Sequence, residues 1–213
     1  MDEHADPKLN RKAGIRAENE ALIIKAAEEI FATYGYRGAS ISVIAQKAGV
    51  PKANIYHYFD TKEDLYRHVL KRTHKSWEEA ADALTDIIEP VEALTAYIHR
   101  KMDISRERYF ASKVFATEVM QGAPMLGDYI ESEIKPWTER EVERIRKWIS
   151  SGALREIEPI YLLMMIWATT QNYADFEHQI RILNGGKPLS DSQFACAKDT
   201  VTTIILRGVT VPK

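Results

Sequence analysis

Lys52, Ala53, Asn54 and His57 fall in one short stretch, and all but Ala53 offer polar groups suited to an edge that must be read. A carboxamide such as Asn54 sets one donor beside one acceptor, the pairing that matches adenine, and the Lys52 ammonium can reach a guanine or a phosphate. Pro51, ahead of them, suits a helix start, where a missing N–H costs nothing. Ala48-Gly49-Val50 separates this stretch from another short segment carrying Ile41, Val43, Ile44 and Ala48, for which Ser40 is a side-chain cap. Two short helices across a tight glycine turn are a helix-turn-helix candidate, the first bracing the second in a major groove. Ile55 and Tyr58 have the spacing to pack the second helix, which is expected to end near Tyr58. Backbone N–H groups near Ser40 and Lys62 can receive phosphates.

A second pairing lies far downstream. Gln171 follows Trp167 by one helical step of four residues, so both share a face. Together they could hold a flat, uncharged ring, which stacks on the indole while the carboxamide meets a lactam edge. A core tryptophan beside a solvated glutamine is the commoner meaning of that spacing. Catalytic patterns are absent. His4, His57, His68, His74, His99 and His178 show no metal-ligand spacing, and Gly185-Gly186-Lys187 lacks the Walker pattern. Cys196 lies on an apolar helical stripe and is expected to be buried. No enzymatic role, cofactor or metal is expected.

The elements that carry these residues are helices. Leu22, Ile23, Ala26, Ala27, Ile30 and Phe31 mark a buried stripe on a helix from about 17 to Tyr34, ended by Gly35. Thr61, with Asp64 three residues on, caps a longer helix over roughly 62–84. Further helices are expected over Val91–Ser105 and Phe110–Met120, then a short and a long charged one between Pro124 and Ser151. The last two are expected over 159–182 and 190–206, separated by a loop at 184–188. No strand and no internal repeat is evident. The expected fold is all-α: a three-helix DNA-binding domain with the helix-turn-helix, then a helical ligand-binding and dimerisation domain. The boundaries fall at 1–16 for a flexible arm, 17–75 and 76–213.

Charge supports that division. The 213 residues hold 29 Lys plus Arg against 31 Asp plus Glu, which by itself argues against a nucleic-acid partner. Divided, residues 1–75 carry a net of +3 and residues 76–213 a net of -5. The arm carries Lys8, Arg11, Lys12 and Arg16, and reads either as a follower of the DNA backbone or as a solvated tail. With an acidic start and one cysteine, the chain is expected in the cytoplasm. Its longest apolar run, Tyr161 to Thr169, is far too short to span a bilayer, so no membrane partner is expected.

The chain resembles the TetR-type one-component transcriptional repressors. The likeness lies in Phe31-Ala-Thr-Tyr-Gly-Tyr-Arg-Gly-Ala-Ser40, Ile41-Ser-Val-Ile-Ala-Gln-Lys-Ala-Gly-Val50 and Ile55-Tyr-His-Tyr-Phe-Asp-Thr-Lys-Glu-Asp-Leu65. Pro51 stands where that family usually carries Ser or Thr, so a side-chain cap and a hydroxyl contact are lost. The resemblance implies phosphate contacts from Tyr56 and Lys62, and core positions for Phe59 and Leu65. It also implies a homodimer through the last two helices, and a pseudopalindromic double-stranded operator.

Within that family, Ile166-Trp-Ala-Thr-Thr-Gln-Asn-Tyr-Ala-Asp-Phe176, Glu118-Val-Met-Gln-Gly-Ala-Pro-Met-Leu126 and Trp148-Ile-Ser-Ser-Gly-Ala-Leu154 look like the pyrimidine-utilisation repressors, which sense uracil or thymine. The likeness implies that Trp77, Trp167 and Gln171 surround a pyrimidine effector. It places Asn172 where that subgroup has histidine, with altered hydrogen bonding if the position approaches the ligand. The alternative is the same fold sensing another small hydrophobic or heterocyclic ligand, or a degradation product of its own pathway. A fatty-acyl sensor would want a long apolar channel, a pyrimidine sensor a small pocket with paired polar contacts.

Overall fold

A computed structural model describes residues 7–82, 87 and 89–211. Among these the chain is helical, and its sole β-type pairing is an isolated antiparallel bridge between Leu154 and Thr210. Two compact units divide it, Met1–Lys71 and Arg72–Lys213, and the division falls inside a helix.

In the first unit, α1 (Pro7–Gly38) precedes α2 (Ile41–Ala48), α3 (Lys52–Ile55) and the first turns of α4 (Lys62–Asp82). Helix α1 begins well before residue 17, so residues 7–16 of the expected arm are helical. Pro7 sits at its start, and good helix formers such as Leu9, Arg11, Lys12 and Ala13 follow. Residues 1–6 of that arm lie outside the described residues. Gly35 breaks α1 where the end was expected, with φ 67° and ψ 174°. Ile23, Ala27, Ile30 and Phe31 are buried; Leu22 is half exposed because it is turned off their face. The Thr61 hydroxyl accepts from the Asp64 N–H at 3.0 Å. The Asp64 carboxylate accepts from the Asp60 N–H, one residue earlier than a capping box requires. The expected end of α4 at 84 lies outside the described residues.

The second unit holds the rest of α4, then α5 (Pro90–Glu107), α6 (Tyr109–Met120), α7 (Gly127–Tyr129), α8 (Lys135–Ser150), α9 (Pro159–Asp175), α10 (Glu177–Leu183) and α11 (Asp191–Val209). A π-helical turn, Ile130–Ile134, joins α7 to α8. Pro136 accounts for it: proline supplies no N–H, and its ring crowds the carbonyl four residues back. The segment expected as one helix over 159–182 bends at Phe176 (φ -111°, ψ 25°) into α9 and α10. Ser190 caps α11 with a full capping box. Helix α5 packs on both α9 and α11. The core includes Leu94, Ile98, Met102, Trp137, Ile145, Leu163, Ile166, Phe194 and Ile205. Burial of these side chains, each worth about 1.5–3 kcal/mol, holds the unit together. Cys196 is exposed, against expectation, since two residues from the buried Phe194 is the opposite side of a helix. No described helix is long and apolar enough to cross a membrane.

Candidate functional site

Ser40 accepts a 3.3 Å hydrogen bond from the Val43 N–H and so starts α2. Gly49, at φ 69° and ψ 26°, ends it. The Gly49 N–H donates to the Gln46 carbonyl at 3.2 Å and the Val50 N–H to that of Ala45 at 3.1 Å, a Schellman closure. Pro51 then launches α3, a single turn rather than a helix reaching Tyr58. Ile55 is fully buried and anchors that turn. Lys52, Ala53, Tyr56 and His57 are exposed and Asn54 is partly exposed, so the predicted reading residues stand outward. Tyr58 is half-buried, with the Arg16 guanidinium 5.6 Å from its ring centre. Phe59 and Leu65 are core.

Lys62, expected at a phosphate, is engaged within the protein. Its ammonium donates to the Tyr36 carbonyl at 2.8 Å and the Ala39 carbonyl at 3.0 Å, and lies 4.4 Å from the centre of the Tyr36 ring. Two of its three donors are thereby spent on the end of α1, where a cation is stabilised.

In the second unit a cavity of about 450 Å³ opens among α4, α5, α6, the π turn, α8 and α9. Trp77, Trp167 and Gln171 line it together. Helix α9 points Met164, Trp167 and Gln171 inward at spacings of three and four residues. Asn172, one residue on, is turned away and exposed, and lies outside the cavity wall. The walls are mostly aromatic and aliphatic. Trp77 meets Phe115 edge-on at 4.9 Å, and Trp137 stacks on Trp167 at 6.0 Å between centroids, with planes 22° apart. The Trp167 Nε1–H donates to the Tyr97 hydroxyl at 3.0 Å. Among the described residues, the Gln171 carboxamide has no protein hydrogen bond.

Three polar wall residues, His74, Tyr97 and Lys101, were not foreseen. Lys101 carried a signal: it continues the buried stripe Leu94, Tyr97, Ile98 on α5, where a charge is out of place. Burial, aided by the Lys101 charge, pushes the His74 imidazole down to about 4, so it is neutral at pH 7. Its Nδ1 lies 3.3 Å from the Tyr129 hydroxyl, and its Nε2 is buried without a partner. Burial also lowers Lys101 to about 7, opposed by the Asp175 charge. Asp175 is raised to about 6 by burial, against the Ser112 hydroxyl that donates to it at 3.3 Å and the charges of Lys101 and Lys113. Burial likewise raises the Tyr97 phenol. The wall can therefore stack a flat ring and offer it a carboxamide and the Lys101 amine. Among the described residues, no three His, Cys, Asp or Glu side chains gather as a metal site.

A helix-turn-helix unit followed by a helical unit with an aromatic cavity defines a DNA-binding regulator that answers to a small molecule. The chain belongs to the tetR family of bacterial regulatory proteins: residues 23–69 match that family, and residues 70–212 match the family of YcdC-like protein, C-terminal region. It is 34% identical over 199 residues to the HTH-type transcriptional regulator RutR of Escherichia coli K12, covering 93% of each chain. The HTH-type transcriptional repressor KstR2 of Mycolicibacterium smegmatis is 22% identical over 200 residues, covering 88% of this chain and 89% of that one. Among solved structures, the transcriptional regulator FadR of Bacillus subtilis in complex with stearoyl-CoA shares the fold with a TM-score of 0.66. The identity is 22%, covering 88% of this chain and 98% of that one. The chain is thus a transcriptional regulator and not an enzyme. It binds operator DNA and a small-molecule effector and dimerises through its C-terminal helices, where Tyr161, Met165, Ile182, Leu183 and Ile204 leave an exposed apolar face on the single chain.

Proposed function

We propose that this regulator is a repressor released from its operator by a pyrimidine such as uracil or thymine. The observation that carries the reading is the Trp167–Gln171 pair. Tyr97 occupies the only indole donor, so Trp167 offers a ligand its face, and the neighbouring carboxamide is free to meet a lactam edge. Lys52, Ala53, Asn54 and His57 would meet base edges, with Ser40 and Tyr56 at phosphates. The protein works in the cytoplasm. Helix α4 begins in the first unit and brings His74 and Trp77 to the cavity in the second. A ring bound between Trp77 and Trp167 favours the dimer state whose reading helices are out of operator register. The coupling is the difference in ligand affinity between the two dimer states, typically about 1–3 kcal/mol.

A second reading, a larger heterocycle, draws on the groove between α8 and α9. That groove, about 640 Å³, shares Ile130, Ile134, Met164 and Trp167 with the cavity and leaves room beyond one ring. Titrating uracil, thymine and bicyclic lactams against a dimer bound to duplex selected from a random pool separates the two. Release by uracil or thymine supports the first reading. Unchanged DNA affinity at saturating pyrimidine overturns it, as does a Gln171→Leu protein that binds uracil normally.

A further inference from the structure

Lys101 is the one Lys or Arg side chain on the cavity wall, and it is 2% exposed. Its ammonium lies 3.9 Å from the centre of the Trp77 ring. Among the described residues, no oxygen accepts a hydrogen bond from it. Asp175 acts on it through its charge, but the Asp175 carboxylate is held by the Ser112 hydroxyl and lies outside the cavity wall. A buried ammonium with an aromatic face on one side and no acceptor is an incomplete arrangement, because each unmatched buried donor is costly. The Nε1 atoms of Trp77 and Trp137 and the Nε2 of His74, on three other wall residues, are also buried without partners.

We propose that Lys101 is a specificity-determining residue of the cavity, and that it selects a ring lactam bound through an anionic oxygen, so that the more acidic the ring N–H, the tighter the binding. This rests on the pyrimidine reading above. Gln171 reads the shape of the lactam edge, and Lys101 reads its charge. His74, neutral at pH 7, brings no competing cation. Lys113 pairs electrostatically with Asp175 and lies outside the cavity wall.

The test measures binding of uracil, 5-ethyluracil and 5-nitrouracil by calorimetry at a fixed pH of about 7.5. The nitro group makes the ring N–H far more acidic, whereas the ethyl group matches its bulk without that effect. The expected result is 5-nitrouracil binding about tenfold or more tighter than the other two, as a charge-assisted hydrogen bond allows. In Lys101→Met, an apolar replacement of similar length, that preference falls to within about twofold. A second readout needs no variant: the ultraviolet band of 5-nitrouracil moves to longer wavelength on ionisation. In acid that keeps the free ring neutral, the bound ring must show the anion's spectrum. Uracil binding with no preference for the acidic ring overturns the inference alone, as does a preference that survives in Lys101→Met or a bound ring with the neutral spectrum. Failure of all three rings to bind overturns the pyrimidine reading, and this inference with it.

Discussion

The indole N–H of Trp167 donates to the hydroxyl of Tyr97 across 3.0 Å, tying α9 to α5 at the cavity wall. Both groups have left water, so the bond is worth more through what its loss exposes than through its own strength. Tyr97→Phe leaves the Trp167 donor unmatched in a largely aromatic surrounding, at a cost of about 1–3 kcal/mol. Denaturant titration should show a lower midpoint with unchanged slope. Ligand affinity should fall as well, because an untethered indole holds its stacking face less firmly. Unchanged midpoint and affinity would remove this bond from the account of the site.

Two buried groups pull stability in opposite directions with pH. His74 is lowered from 6.5 to about 4, so between these values the unfolded chain takes up a proton that the folded one refuses. Its contribution is present above pH 6.5 and is lost as pH falls toward 4. Asp175 is raised from 3.8 to about 6, so the folded chain keeps a proton that the unfolded chain gives up. That contribution is present at low pH and is lost as pH rises through the same window. The two trends run in opposite directions over nearly the same window, so in the wild type they largely offset. Asp175→Asn should therefore lose stability more steeply than wild type on acidification from pH 6.5 to 4, and His74→Phe less steeply. Melting temperatures across that range decide it; parallel curves for all three proteins would refute the assignment.

Gly49 holds the turn of the reading motif at φ 69°, and a methyl group added there meets nothing within 4 Å. Gly49→Ala therefore isolates the backbone cost of a left-handed residue, about 1 kcal/mol, without a steric clash. The expected result is a melting temperature lower by a few degrees, with DNA affinity reduced only modestly. A loss of several kcal/mol would mean that the turn repacks rather than strains.

The turn was legible in the sequence because its determinants are local: Ser40 caps, Gly49 ends and Pro51 restarts, each by its own backbone preference. The shared face of Trp167 and Gln171 was legible from their spacing of four, but their place at a ligand came only from the family resemblance. His74 and Lys101 were not legible, because helical periodicity says which face of α4 or α5 turns inward but not what it meets there. Lys101 on an apolar stripe was a usable sign of a built polar site. Asn172 shows the converse. It came from resemblance alone, and the 100° step from Gln171 turns it out of the cavity. The split of α9 from α10 had no sequence signal, as neither glycine nor proline stands at Phe176.

Lys52 and Lys62 separate by salt. An ammonium that neutralises a phosphate releases a counterion, and each such contact contributes about 0.9 to the slope of log affinity against log salt. Lys52 is exposed at the start of α3. One lysine lost per protomer removes two contacts per dimer, so Lys52→Met should flatten the slope by about 1.8 while leaving the melting temperature nearly unchanged. Lys62 spends two donors on the Tyr36 and Ala39 carbonyls and lies over the Tyr36 ring. Lys62→Met should keep the wild-type slope but cost about 1–2 kcal/mol of stability, because a partly buried, charge-assisted anchor at the end of α1 is lost. A Lys62→Met protein with wild-type stability and a flattened slope would restore the phosphate role that the family resemblance implied.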